Sequence, residues 1–114
     1  MINQFGRKGE DIAAEYLKAK GYKILHRNFR TPVGEADIIV SDNDVLVFVE
    51  VKARTGRSFG EPFEAVDFRK QGKIRKIALY YLKLHKFEKQ VRFDVVSIVS
   101  RNGDHDIRHI MEAF

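Results

Sequence analysis

Glu50 and Lys52 stand two residues apart in a stretch that is otherwise apolar, Val45-Leu46-Val47-Phe48-Val49-Glu50-Val51-Lys52. On an extended strand that spacing puts both side chains on one face. Charged groups at the end of a covered strand are costly unless they are paired or used. One reading makes them a solvated pair at an exposed strand end; the other makes them working groups. Asp37 bears on the choice. It lies in the preceding run Glu35-Ala36-Asp37-Ile38-Ile39-Val40, which the polar cluster Ser41-Asp42-Asn43-Asp44 joins to the next. With a loop of Ser41 to Asp44, Asp37 faces Phe48 and Glu35 faces Glu50. With a two-residue loop of Asn43-Asp44, Asp37 faces Glu50 directly. Either register puts Asp37 and Glu50 on one side of an antiparallel hairpin.

Carboxylates gathered on one face repel unless positive charge lies between them. A hard divalent cation such as Mg²⁺, or Mn²⁺ in its place, takes oxygen ligands, and it often uses only one or two protein carboxylates beside water and substrate phosphate. A neighbouring lysine can pair with a phosphate oxygen, orient water, or act as a base if its pKa is lowered. Asp37, Glu50 and Lys52 are therefore the set that phosphodiester hydrolysis calls for.

These residues need a scaffold. Ile12, Ala13, Tyr16 and Leu17 recur at helical spacing and predict a helix over 5–20, with Gly21 as its C-terminal cap. Residues 22–30 read as extended, and Thr31-Pro32-Val33-Gly34 as a turn. Two strands follow, the second apolar enough to be covered on both faces. A glycine-containing loop over 54–66 leads to a second helix over 67–86, whose apolar side is Ile74, Ile77, Ala78, Tyr81, Leu82 and His85. Val91 to Val99 reads as a strand, and 107–111 as a short edge strand if one forms. The order α-β-β-β-α-β predicts an α/β domain with a mixed sheet flanked by helices.

The 114 residues suit one domain spanning 1–114. The absence of cysteine excludes disulfides, thiolate ligands and cysteine nucleophiles. No apolar run approaches the roughly 20 residues of a membrane helix, and the N-terminus lacks the apolar region of a signal peptide. The expectation is a cytoplasmic protein without a membrane partner. A net charge of +5 and a pI of about 9.6 favour an anionic partner, nucleic acid above all.

Asp37, twelve residues, then Glu50-Val51-Lys52 resembles the motif of the PD-(D/E)xK nuclease superfamily, with its restriction-endonuclease-like core. Ala36 stands where a proline would complete the motif. Gly34-Glu35-Ala36-Asp37-Ile38-Ile39 and Val47-Phe48-Val49-Glu50-Val51-Lys52-Ala53-Arg54 more narrowly resemble the YraN family of predicted bacterial endonucleases. So do the opening Gly6 to Leu17 and Arg92-Phe93-Asp94-Val95-Val96, so the resemblance covers nearly the whole chain.

The resemblance implies a metal-dependent endonuclease acting on DNA, with catalytic Asp37, Glu50 and Lys52 and a metal site of Glu10, Asp37, Glu50 and Val51. Glu10 enters because archaeal Holliday-junction resolvases of the superfamily carry a first-helix glutamate at the matching place. Those relatives suggest branched DNA as substrate, and cutting two strands symmetrically would need a homodimer. Glu35 and Gln71 are second-rank site residues. Arg54, Arg57, Lys73 and Lys76 are candidates for backbone phosphate contacts. Asp94 and the four histidines read as structural or surface residues. The competing readings are a non-catalytic nucleic-acid-binding module on the same fold, and an ion-paired domain whose basic surface binds a protein.

Overall fold

The computed structural model describes residues 4–55, 66–86, 90–101 and 103–114. Arg57 and most of the predicted 54–66 loop lie outside these residues. In chain order the described elements are α1 (Gln4–Ala19), β1 (Lys23–Arg30), β2 (Glu35–Asp42), β3 (Val45–Thr55), α2 (Phe68–His85), β4 (Gln90–Arg101) and β5 (Asp104–Ile110). The sheet runs β1-β2-β3-β4-β5. Among the described strands only β3 and β4 pair in parallel, with α2 in the connection between them. The mixed sheet predicted from the sequence is thus present, and it has the restriction-endonuclease-like core topology. The last strand does form, beginning three residues earlier than expected.

Strand alternation sorts the core into two layers. Val47 and Val49 of β3 join Ile38, Val40, Val96 and Ile98 beneath Ala13, Ala14 and Leu17 of α1. Leu46 and Phe48 point the other way, joining Ile39 and Val95 beneath Ile74, Ile77, Ala78 and Tyr81 of α2. A strand buried on both faces needs apolar residues at successive positions, and Val45 to Val49 supplies them. Glu50 and Lys52 continue the row of Phe48, so they emerge on the α2 face.

Asp42 pairs with Val45, which selects the two-residue loop Asn43-Asp44. Asn43 has φ of 54°, the left-handed conformation such a loop requires and asparagine tolerates. The paired positions continue through Ile38 and Val49, and one step further Asp37 stands opposite Glu50.

α1 meets β3 at very close range. A Cβ built on Gly9 would lie 2.5 Å from Cβ of Ala53. Gly9→Ala is therefore expected to push α1 off the sheet and to cost about 1–3 kcal/mol by overpacking, despite alanine's better helix propensity. Urea denaturation checks this; a neutral or stabilising effect would mean that the contact relaxes freely.

Candidate active site

β2 delivers Asp37 and β3 delivers Glu50, but the two carboxylates are held differently. Asp37 Oδ2 accepts a hydrogen bond from the Val51 backbone N–H at 2.9 Å. The side chain thereby takes a place that a strand partner would fill, just beyond the last paired position of β2 and β3. Glu50 is 8% exposed. Burial first, then the charge and contact of Asp37, raise its pKa to about 8. Lys70 and Lys52 act in the opposite direction without overcoming this. The buried carboxylate therefore stands in surroundings that favour further positive charge.

Lys52 lies on the same face and is half-buried. Burial, followed by contact with the Lys70 ammonium, lowers its pKa to about 8. A lysine so placed can donate to an anionic oxygen as an ammonium or take a proton as an amine. Lys70 Nζ stands 3.4 Å from Glu50 Oε1. Burial alone would depress the Lys70 pKa, but contacts with Lys52 and Glu50 outweigh it and hold it above the ordinary lysine value. The site proper is thus two carboxylates, Asp37 and Glu50, facing two amines, Lys52 and Lys70.

The sequence reading passed over Lys70, although a signal was present. Arg69 and Lys70 are both basic, and the first turn of α2 contains no acidic residue. The positive end of a helix dipole disfavours cations, so two of them there call for an outside partner. The helix start fixes where Lys70 projects. Asp67 caps it by accepting from the Lys70 backbone N–H at 2.9 Å. Gln71, a second-rank candidate, donates from Nε2 to the Val66 carbonyl at 3.0 Å, so its amide holds the same helix start.

Glu10 approaches from the helix on the opposite face of the sheet. Arg27 donates to Asp11 at 2.6 Å, tying α1 to β1 one residue away. Asn28 stands opposite Asp37, between the Arg27–Ile38 and Phe29–Ala36 pairs. With its amide assigned to donate, its nitrogen lies 2.9 Å from Glu10 Oε1 and 2.9 Å from Glu35 Oε1. Asn28 has φ of 54°, a conformation asparagine accepts more readily than most residues. It is the second residue that the sequence reading missed; an asparagine inside a strand, where its type is depleted, was the available signal. The Glu10 pKa is raised by burial and then by Asp37. Glu35 is engaged at the rim, 3.3 Å from Arg30.

Among the described residues, no three or more histidine or acidic side chains gather in a set that could hold a metal ion. The structure therefore brings together Asp37 and Glu50, adds Lys52 and Lys70, and leaves Glu10 beside them in the hands of Asn28. The donors still suit one hard cation: two adjacent carboxylates, one of them buried, with backbone and water oxygens to complete the shell. Val51 has an apolar side chain, so only its carbonyl could serve as a ligand. Arg54 is half-buried towards the end of β3, while Lys73 and Lys76 are exposed on α2. No helix among the described residues is long and apolar enough to cross a membrane.

Comparison with known proteins agrees with this architecture. A family model described as "Uncharacterised protein family UPF0102" matches residues 9–98, a span that contains Glu10, Asp37, Glu50, Lys52 and Lys70. A UPF0102 protein of Thermodesulfovibrio yellowstonii is 49% identical over 97% of this chain and 96% of its own length. One of Syntrophomonas wolfei is 49% identical over the full length of both chains, and one of Clostridium botulinum is 48% identical over 96% and 92%. The chain belongs to the UPF0102 family, also called YraN, whose sequence features and sheet topology accord with the PD-(D/E)xK nuclease superfamily.

Proposed function

We propose that the protein is a metal-dependent nuclease that hydrolyses DNA phosphodiester bonds, with Asp37 and Glu50 holding Mg²⁺ or Mn²⁺. The observation that carries this reading is the pair of opposed carboxylates, one buried and pushed to a pKa of about 8, on the same face as Lys52. Holding a buried carboxylate beside a second, half-buried one favours a cation between them. When bound, the cation would polarise a water and offset charge on the reacting phosphate. The chain's own residues supply the rest. Asp37 anchors the end of β3 through Val51. Lys52 offers an ammonium to a phosphate oxygen or accepts a proton. Exposed Lys73 and Lys76, with Arg54, supply sequence-independent contacts to the phosphate backbone. Glu10 is a further ligand within this proposal, brought in by a shift of its side chain away from Asn28. Branched DNA remains the preferred substrate form, by likeness to the resolvases.

The test is a Mg²⁺ and Mn²⁺ titration against single-stranded, duplex, flapped and four-way DNA, with Glu50→Ala beside the wild type. Cleavage by the wild type alone is the expected result. No cleavage of any substrate at any metal concentration would sink the nuclease reading. Calorimetry showing no Mn²⁺ binding, with salt-dependent DNA binding intact, would instead favour the non-catalytic nucleic-acid-binding module.

A further inference from the structure

Lys70 departs from what its own helix favours. It sits in the first turn of α2, beside Arg69 and at the positive end of the dipole, with no acidic residue in that turn. Its backbone N–H is already satisfied by Asp67, so capping accounts for the backbone there and not for the ammonium. What the ammonium meets is Glu50 Oε1 of β3, 3.4 Å away. The Glu50 side chain is 9% exposed and that of Lys70 38%. The carboxylate is therefore fixed within the fold, while the lysine reaches it from the solvent side on a flexible stem. Such a side chain can swing away without disturbing the core.

The charges explain why a lysine would be kept there. Counted in their ionised forms, the ones a cation would meet, Asp37 and Glu50 carry two negative charges and Lys52 and Lys70 two positive ones. Without metal the quartet is formally neutral; a divalent cation added to it leaves a surplus of two. Lys52 belongs to β3, the strand that carries Glu50, whereas Lys70 reaches Glu50 from a separate element, so Lys70 is the charge free to leave. We propose that Lys70 is a built-in counter-cation that occupies the Glu50 carboxylate in the metal-free protein and is displaced from it when a divalent cation binds. The inference rests on the reading of Asp37 and Glu50 as a cation site. It adds that metal competes with a resident lysine, and that binding releases an ammonium at the mouth of the site where an anionic phosphate oxygen would approach.

The experiment is calorimetric titration of the full chain with Mn²⁺ alone, comparing wild type with Lys70→Met, Lys70→Gln and Lys70→Arg. Lys73→Met serves as control, since it removes an equal charge from the exposed side of the same helix. With the competitor gone, the Met and Gln variants should bind Mn²⁺ roughly three- to tenfold more tightly than wild type. Arg and the Lys73 control should stay within about twofold, below the effect of losing one such ion pair. Thermal melts give a second readout independent of cleavage. Metal-free Lys70→Met should melt below wild type, and saturating Mn²⁺ should raise its midpoint by more than it raises wild type's. Lys70→Gln keeps a donor for Glu50 and carries the test if the Met variant folds poorly. Equal or weaker Mn²⁺ binding by the Met and Gln variants overturns the proposal while leaving the cation site standing. An equal gain in the Lys73 control also overturns it, because the effect would then be general electrostatics. Absence of Mn²⁺ binding in every protein, wild type included, overturns the cation site and the proposal together.

Discussion

Asp37→Asn is expected to abolish metal-dependent cleavage, by at least about a thousandfold, while leaving the melting temperature near that of the wild type. The carboxylate has two duties that this substitution separates. Its Oδ2 accepts from the Val51 N–H at 2.9 Å, and an asparagine carbonyl oxygen can accept that bond in the same place. Its charge acts on Glu50 and helps to raise that group's pKa; the amide removes this charge. The fold therefore keeps its hydrogen bond and loses a repulsion, while a cation loses one of two opposed carboxylates. Asp37→Ala should behave differently. It also strips the partner from a part-buried N–H, which costs about 1–3 kcal/mol, so stability falls together with activity. Cleavage assays beside thermal melts of both variants make the comparison. Cleavage by Asp37→Asn within tenfold of wild type would remove Asp37 from the reacting centre.

The pairing of Asp37 with Glu50 was legible because hairpin geometry leaves few choices. Both registers considered kept the two on one face, and the polar tetrad Ser41 to Asp44 limited the loop to two lengths. The structure chose the shorter, with Asn43 in the left-handed region. The helices were legible for the same kind of reason: the 3.6-residue period of Ile74, Ile77, Ala78 and Tyr81 predicts the face that is buried. Lys70 and Asn28 were not found, because each belongs to the site through a contact between elements distant in sequence. Lys70 meets Glu50 only because β3 turns its even-numbered residues towards α2, and spacing within α2 says nothing about that. Asn28 meets Glu10 only because the fold lays β1 against α1, where Tyr22 and Ile24 join the core under α1 and Arg27 reaches Asp11. Local pattern identifies which residues share an element's face; it does not say which face of another element they will oppose. The same limit applies to Gln71, whose hydrogen bond to the Val66 carbonyl at the start of α2 its spacing could not foretell.

Asp94→Ala should cause the largest loss of stability of the substitutions considered, about 3–5 kcal/mol. For a chain of this size that is a fall in melting temperature on the order of 10–20 °C. Asp94 is fully buried in the middle of β4, where an unpaired carboxylate would not be tolerated. Arg92 engages both of its oxygens, from Nε at 2.9 Å and from a terminal nitrogen at 3.0 Å. His109 Nε2 lies 2.7 Å from Oδ2, and the Glu112 N–H donates to Oδ1 at 3.2 Å. Arg92 also reaches Asp42 and the Tyr22 hydroxyl, each at 3.0 Å. One side chain thus ties β4 to the C-terminal end of β5 and, through Arg92, to β2 and the residue before β1. Removing it leaves a guanidinium and an imidazole without their shared partner in the interior, which is why the cost exceeds that of a lost surface pair. The pH dependence has a definite sign. Burial alone would raise the Asp94 pKa, but the bonds from His109, Arg92 and the Glu112 backbone outweigh it and hold the pKa below the ordinary aspartate value. A carboxylate whose pKa is depressed by folding contributes its stability in full above the unfolded value of about 3.9, and that contribution is lost as pH falls through the folded value. The gap between wild type and Asp94→Ala should therefore be widest near neutrality and should narrow as acid protonates Asp94 in the wild type. Urea denaturation at pH 7 and at successively lower pH measures the gap directly. A gap that is small at pH 7, or that widens in acid, would show that the network around Asp94 does not hold the sheet in this way.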